Sequence, residues 1–203
     1  MVLIHAFSVD RRMWAPQIAL LEHRFRVVRY DLRGHGKSEG PSAPYAPHED
    51  LRSVLDALDI SRATLIGLSA GATIATDFAI AYPNRVARLV LASPGLSGHV
   101  PSTPLTWTQP VFQAAGAGDA EGAARLWADT PIMAVRNDLS VAPAVREVIL
   151  GEQDLPHIKE IAGLLIKGIA GARLVTIPRA GHMVNLDARE TFNRAVEAFV
   201  VSR

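Results

Sequence analysis

The chain contains no cysteine among its 203 residues, which excludes disulfide bonds, thiolate metal sites and a thiol nucleophile. It also lacks an excess of charge of either sign, because 21 lysines and arginines stand against 20 aspartates and glutamates. A nearly neutral chain presents no broad cationic face, so nucleic acid is not an expected partner. The length suits one domain with a sizeable core, and no linker rich in proline, glycine and serine divides the sequence.

Targeting and membrane signals are also sparse. The first residues lack the charged region and apolar core of a signal peptide, which predicts a cytoplasmic protein. The longest weakly charged stretch, residues 63–82, contains Asp77, two glycines and a serine. This pattern favours a strand followed by a buried helix over a membrane span, so no membrane association is expected.

The most informative motif is Gly-Leu-Ser-Ala-Gly at residues 67–71. An aliphatic run precedes it and an alanine-rich run, ended by Tyr82 and Pro83, follows it. A serine in the tight turn between a strand and a helix is typical of a nucleophile elbow, whose flanking glycines leave room for the reversal of the chain. Because an ordinary strand-to-helix turn can carry the same letters, the rest of a catalytic triad has to be found independently.

A serine nucleophile needs a base and an orienting acid. In enzymes with a nucleophile elbow, the acid precedes the histidine along the chain. A short aliphatic strand near residue 175 leads into a loop of small residues that ends in His182, the expected base. An earlier aliphatic strand leads into a loop with two carboxylates. Asp154 is the preferred orienting acid for Ser69 and His182, with Glu152 in reserve.

Four segments of the chain resemble the α/β-hydrolase superfamily, and they are most similar to its small, cofactor-free esterases and lactonases. The segments are residues 3–7 (Leu-Ile-His-Ala-Phe), residues 31–38 (Asp-Leu-Arg-Gly-His-Gly-Lys-Ser), the motif at 67–71, and residues 151–154 paired with 180–182. The resemblance implies an α/β fold with a mostly parallel, doubly covered sheet of about six strands, the first two family strands being absent. It also implies a single domain, 1–203, with a small helical cap inserted at 94–145.

The same resemblance implies a serine hydrolase that cleaves small carboxylic esters through an acyl-enzyme on Ser69, without cofactor or metal. The backbone N–H groups of Phe7 and Ala70 would form the oxyanion hole. Ala6 stands where the family usually has glycine, so a loop that needs a positive φ there would be distorted. Two alternatives stay open: a lactone or carbon–carbon bond hydrolase with the same triad, or a truncated member that binds a small ligand without turnover.

Hydrophobic patterning predicts alternating strands and helices, and it adds weaker expectations about the pocket and the sheet edge. Strands are expected near 1–5, 25–30, 63–68, 86–92, 147–151 and 173–177, and helices near 13–23, 48–58, 69–82, 155–169 and 187–201. The acyl pocket is expected to use cap residues Trp107, Phe112, Leu126, Trp127, Ile132 and Met133. The arginine-rich strand at 25–30 would lie at a sheet edge, as an exposed edge in a monomer or a pairing surface in a homodimer.

Two further features bear on the site. A deletion near 140–150, relative to the family pattern, could shift the following strand and separate Asp154 from His182. The remaining histidines show no metal-ligand spacing, and His5 and His35 are expected to be structural hydrogen-bonding groups in their loops.

Overall fold

Six strands form one sheet in the computed structural model, which describes residues 1–99, 102, 105–128, 147–169 and 171–201. The sheet order is β2-β1-β3-β4-β5-β6, and every neighbouring pair is parallel. The strands are β1 (Val2–Ile4), β2 (Val28–Arg29), β3 (Ala63–Leu68), β4 (Val86–Ala92), β5 (Glu147–Gly151) and β6 (Arg173–Ile177). The expected α/β class with about six mostly parallel strands is confirmed.

Helices cover both faces of the sheet. They are α1 (Ala15–Leu21), α2 (Pro47–Ala57), α3 (Ala70–Ala81), α4 (Gln109–Gly116), α5 (Ala120–Ala128), α6 (Pro156–Gly168), α7 (Val184–Asp187) and α8 (Arg189–Val201). Short 3₁₀ helices occupy Arg11–Trp14, Pro83–Arg85 and Thr106–Thr108. Parallel strands need long crossover connections, and helices supply them here on both sides.

Two hydrophobic clusters form the core, one on each face of the sheet. Side chains along a strand alternate between faces, so Leu3 enters one cluster while its neighbours Val2 and Ile4 enter the other. The first cluster is closed by α1 and α8, whereas α2, α3 and α6 close the second. Burial on both faces explains why the central strands are continuously aliphatic rather than alternating with polar residues.

The strand expected at 25–30 lies at the sheet edge, as predicted, but it is only two residues long. Its partner β1 has three residues, and the pairing is limited to Val2 with Val28 and Leu3 with Arg29. Phe25 instead packs against the first hydrophobic cluster. The predicted strand was too long because some of its apolar residues, such as Phe25, pack against the core and do not pair with β1.

Two helix predictions differ from the structure. The helix expected at 13–23 begins at Ala15, since the preceding residues Arg11–Trp14 form a 3₁₀ turn and Pro16 cannot donate a helical hydrogen bond. The helix expected at 187–201 begins earlier and is interrupted at Ala188, whose φ of −132° and ψ of 53° are not helical. This break separates the short helix α7, which begins at Val184 shortly after His182, from α8.

The described part of the expected cap contains the 3₁₀ helix Thr106–Thr108 together with α4 and α5. The treatment of 94–145 as a cap insertion stays a prediction, because residues 129–146 lie outside the described residues. Strand β5 begins directly after them and pairs with both β4 and β6. This strand therefore lies within the sheet, and the expected deletion near 140–150 stays a prediction. Among the described residues, no helix combines the length and apolar character needed to cross a membrane.

Helix α3 approaches the sheet closely where it meets the end of β1. A Cβ atom on Gly71 would overlap the carbonyl group of Ile4, and one on Gly67 would overlap the backbone of Gly71 and Ala72. Glycine at both positions lets α3 start immediately beneath the end of its own strand. The two glycines therefore fix where the serine between them can lie.

We predict that Gly71→Ala lowers the free energy of unfolding by about 1–3 kcal/mol or more, because the atoms that the new Cβ would overlap belong to the backbone. Gly163→Ala in α6 is the matched control, since a Cβ there meets no atom within 4 Å. The control should gain about 0.5–1 kcal/mol from its better helix propensity. Urea unfolding measures the free energy of unfolding of both variants. Equal changes in the two variants would contradict the prediction.

Candidate active site

Ser69 lies at the turn between β3 and α3 with φ 53° and ψ −113°, a conformation that residues other than glycine rarely adopt. Its backbone N–H donates to the Ala92 carbonyl at 2.9 Å. Its carbonyl accepts from the N–H groups of Ala72 at 2.9 Å and Thr73 at 3.0 Å. A strained backbone persists only when its surroundings hold it, and these contacts hold the serine at the tip of the turn.

The loops after β5 and β6 are joined by backbone hydrogen bonds. The Glu152 N–H donates to the Ile177 carbonyl at 2.9 Å, and the Gln153 N–H donates to the Ala180 carbonyl at 2.8 Å. These bonds continue the parallel pairing of the two strands beyond their ends. As a result, the residues that follow, Asp154 and His182, are brought to the same place at the carboxyl edge of the sheet.

Asp154 and His182 form a buried pair. The Nδ1 atom of His182 lies 2.9 Å from Oδ1 of Asp154, and both residues are only 3% exposed. The same carboxylate oxygen accepts the N–H of Leu155 at 2.8 Å. Because a carboxylate accepts, Nδ1 is the nitrogen that donates to Asp154, and in a neutral imidazole Nε2 is then the acceptor nitrogen. The separation of Asp154 from His182 that a shifted β5 would cause is therefore not observed.

The other imidazole nitrogen is available for chemistry. The buried Nε2 atom of His182 has no hydrogen-bond partner among the described residues, and neither has Oδ2 of Asp154. Ser69 is half-buried and is not hydrogen-bonded to Nε2. The structure thus brings the acid and the histidine together, whereas no hydrogen bond joins Ser69 to His182 Nε2. Such contacts often form only when substrate is bound.

Glu152, the reserve acid of the sequence prediction, has a different partner. Its side chain is exposed, and Oε2 accepts the backbone N–H of Arg179 at 3.0 Å. It therefore stabilises the loop that precedes His182 without contacting the imidazole. Of the two carboxylates in this loop, Asp154 is the one that contacts the histidine.

The loop after β1 does not need glycine at position 6. Positive φ in this loop falls at Ser8, at 63°, and not at Ala6. Ala6 is 3% exposed, and its N–H donates to the Sδ atom of Met13 at 3.3 Å. The condition under which Ala6 was expected to distort the oxyanion hole, a positive φ at that residue, is therefore not met.

His5 fixes the peptide that carries the Phe7 N–H. Its Nε2 accepts the Leu32 N–H at 2.9 Å, so the neutral ring carries its proton on Nδ1, which lies 2.7 Å from the Ala6 carbonyl. The Ala6 carbonyl and the Phe7 N–H belong to one planar peptide and point in opposite directions. Holding the carbonyl therefore sets the direction of the N–H. Ala70 is the first residue of α3, where N–H groups have no intrahelical acceptor.

The expected structural roles of His5 and His35 agree with their contacts. His35 Nδ1 lies 2.9 Å from the Arg33 carbonyl, and its ring packs between those of His5 and Phe7 with centroid distances of 5.3 and 5.4 Å. Among the described residues, no group of three or more His, Asp or Glu side chains is arranged to hold a metal ion.

The six residues expected in the acyl pocket are only partly described. Phe112 and Leu126 are 61% and 41% exposed, whereas their neighbours Val111 and Ala123 are buried. The side chains of Trp107 and Trp127 lie outside the described part of the structure, as do residues Ile132 and Met133. Their assignment to an acyl pocket stays a prediction.

Two buried titratable groups near His182 were not predicted as functional. Asp187 is 5% exposed, and its Oδ2 accepts the N–H of Gly181 at 2.8 Å. Burial raises the pKa of Asp187, although the Gly181 N–H opposes that shift. His157 is 8% exposed, and burial followed by the nearby His182 lowers its pKa. In the sequence, only its closeness to His182 marks Asp187 as a candidate functional residue, and nothing marks His157.

A model of the alpha/beta hydrolase family matches residues 1–195 of the chain. The chain belongs to the alpha/beta hydrolase family. This result agrees with the parallel sheet, the strained serine turn and the order serine, acid, histidine described above.

Individual members of the family match to different extents. An uncharacterized protein of Mycobacterium tuberculosis is 40% identical over 97 residues, covering 46% of this chain and 28% of that relative. The chain thus matches less than a third of that relative's length. The 3-oxoadipate enol-lactonase 2 of Acinetobacter baylyi is 26% identical, covering 98% of this chain and 87% of the relative. The crystal structure of an enol-lactonase from Burkholderia xenovorans is 28% identical, with a TM-score of 0.76, and the match covers 99% of this chain and 90% of that one.

We predict that Asp187→Ala lowers the free energy of unfolding by about 1–3 kcal/mol, because it leaves the Gly181 N–H without its acceptor. Asp187→Asn keeps an acceptor oxygen and should be close to wild type. The raised pKa means that the folded protein binds the Asp187 proton more tightly than the unfolded chain does.

The free energy of unfolding of wild type relative to that of Asp187→Asn should therefore be highest below about pH 4 and decrease as the pH rises through the raised pKa. Urea unfolding between pH 3.5 and 7 measures this difference. A difference that is constant over that range would contradict the assignment of a raised pKa.

We predict that His5→Phe lowers kcat for hydrolysis about tenfold or more by releasing the Ala6–Phe7 peptide, whereas His35→Phe should leave kcat within about twofold. Burial lowers the pKa of His5, so its contribution to stability is full above about pH 6.5 and is lost as the pH falls toward the lowered pKa. Denaturation of wild type and His5→Phe between pH 5 and 8 measures this difference. Equal kcat losses in the two variants would contradict the role of His5.

Proposed function

We propose that this protein is a serine hydrolase that cleaves small carboxylic esters, with Ser69 as nucleophile, His182 as base and Asp154 as orienting acid. The observation that carries the proposal is the buried His182–Asp154 contact at 2.9 Å, in which Nδ1 faces the carboxylate and Nε2 has no hydrogen-bond partner among the described residues. A buried base with one nitrogen held and the other unpaired is suited to accept a proton from a serine hydroxyl. The strained Ser69 supports the proposal independently, because backbone strain is often retained at functional sites.

The proposed reaction has two halves. Ser69 Oγ attacks the ester carbonyl carbon as His182 Nε2 takes its proton, and the N–H groups of Phe7 and Ala70 stabilise the negative oxygen of the tetrahedral intermediate. The intermediate collapses, the carbon–oxygen bond to the alcohol breaks, and His182 protonates the departing oxygen. Water then attacks the acyl-enzyme with His182 as base, releasing the carboxylic acid and restoring Ser69. Asp154 holds the imidazole in the required tautomer throughout.

A lactone is the second candidate substrate class. The relatives that match nearly the whole chain include enol-lactonases from Acinetobacter baylyi and Burkholderia xenovorans. The same two half-reactions open a lactone, except that the departing alkoxide stays attached to the acyl chain. Both substrate classes use the same triad, so a direct comparison of ester and lactone hydrolysis distinguishes them.

The deciding experiment compares Asp154→Asn with Glu152→Gln, two changes of a carboxylate to an amide within one loop. With p-nitrophenyl acetate, butyrate and octanoate, Asp154→Asn should lose about 10³–10⁴-fold in kcat, because the amide no longer stabilises the required imidazole tautomer. Glu152→Gln should stay within about twofold, since Glu152 is exposed and contacts the Arg179 N–H instead. Dihydrocoumarin hydrolysis in parallel tests the lactone candidate.

A fluorophosphonate probe identifies the nucleophile. Wild type should gain the mass of one phosphonyl group on the peptide that contains Ser69, and Ser69→Ala should gain none. A folded wild-type protein that neither reacts with the probe nor hydrolyses any of these substrates would overturn the proposal. That result would favour a member of the family that binds a small ligand without turnover.

A further inference from the structure

We infer that Asn185 is a positioning residue that couples the loop carrying the proposed base to the loop carrying the proposed oxyanion donor, an inference that rests on the proposed function. Asn185 is on α7, three residues after His182, and it is completely buried. Its side chain contacts the N-terminal segment of the chain, namely residues of the 3₁₀ helix Arg11–Trp14 and of α1.

The contacts of Asn185 form a buried polar network. Its Nδ2 donates to the Met13 carbonyl and to Gln17 Oε1, both at 3.3 Å. Gln17 Nε2 in return donates to the Asn185 carbonyl at 3.1 Å and to Asn193 Oδ1 on α8 at 2.8 Å. Gln17 is 1% exposed. The two amides thus hold α7 against the segment that follows the oxyanion loop.

Met13 completes the route to the oxyanion loop. Its carbonyl accepts from Asn185, and its Sδ accepts the Ala6 N–H at 3.3 Å. Ala6 is the residue directly before Phe7, and His5 already holds the Ala6 carbonyl. Both polar backbone groups of Ala6 are therefore engaged, one of them by a residue that Asn185 contacts. A shift of α7 would be transmitted through Met13 to the peptide that carries the Phe7 N–H.

Packing alone does not explain an asparagine at this position. The Oδ1 atom of Asn185 is buried without a hydrogen-bond partner among the described residues, which costs free energy that a leucine of similar size would avoid. Rotating the amide by 180° would place this oxygen against the Met13 carbonyl, so the observed orientation is the only one that makes both donor contacts. The side chain is thus specific for its two acceptors.

Asn185→Leu tests the inference, and Asn193→Leu is the matched control, because Asn193 hydrogen-bonds to the same Gln17 from α8 and to neither loop among the described residues. At a temperature where both variants are folded, Asn185→Leu should lower kcat for p-nitrophenyl butyrate about tenfold with KM within about twofold. This is less than the 10²–10³-fold that loss of a whole oxyanion donor costs, since the donor is displaced rather than removed. Asn193→Leu should keep the wild-type kcat.

A double variant tests the route through Met13. Met13→Leu removes the sulfur acceptor of the Ala6 N–H at nearly constant volume. If Asn185 acts through Met13, the variant with both substitutions should lose no more kcat than Asn185→Leu does alone. A loss equal to the product of the two single losses would overturn the route. An unchanged kcat in Asn185→Leu, or equal losses in Asn185→Leu and Asn193→Leu, would overturn the positioning role.

Amide NMR separates this inference from the proposed function. In ¹H–¹⁵N spectra, Asn185→Leu should shift the amide signals of Phe7 and Gly181, and Asn193→Leu should leave them in place. If wild type is inert toward esters, lactones and the phosphonate probe, the proposed function fails, and these shifts still decide whether Asn185 couples the two loops. Unshifted Phe7 and Gly181 signals in Asn185→Leu would overturn the coupling.

Discussion

The site depends above all on the close approach of α3 to the end of β1. A helix that begins this near the sheet forces the preceding residue, Ser69, into a left-handed conformation that costs about 1–3 kcal/mol. The cost is offset by the burial of α3 and by the hydrogen bonds of the Ser69 backbone to Ala92, Ala72 and Thr73. Gly67 and Gly71 are the positions where any side chain would prevent this approach. The position of the serine is therefore determined by the packing of α3 against the sheet and not by its own turn alone.

A second constraint acts on the far side of the site. Parallel strands end at one edge of the sheet, but their loops need further interactions to adopt a common geometry. Backbone bonds from Glu152 and Gln153 to the loop after β6 provide them for Asp154 and His182. The buried side chains of Asn185 and Asp187 then attach α7 in two directions, to the N-terminal segment and to Gly181. Such polar contacts stabilise little in total, yet they restrict the loops to one arrangement.

The sequence predicted the sheet well because its central strands are continuous aliphatic runs, and β3, β4, β5 and β6 begin and end where the pattern indicates. Periodicity could not show that Phe25 packs against the core, nor that the last helix is interrupted at Ala188. Both features depend on contacts with distant parts of the chain. The pairing of Asp154 with His182 was predicted from the sequence, with Glu152 in reserve, and the structure shows Asp154 as the carboxylate in contact with the imidazole.

The buried polar residues of α7 mark the limit of sequence reasoning. Asn185 and Asp187 lie in a short polar stretch whose letters are also typical of an exposed turn. Their burial follows from the packing of Val184 into the core and from the interruption at Ala188, which together turn the stretch inward. Ala6 shows the converse case, since the substitution for glycine suggested a defect, but the positive φ of that loop lies at Ser8. In each case the role of a residue follows from the backbone at that position, because the same residue type is compatible with an exposed loop, a buried contact or a strained turn.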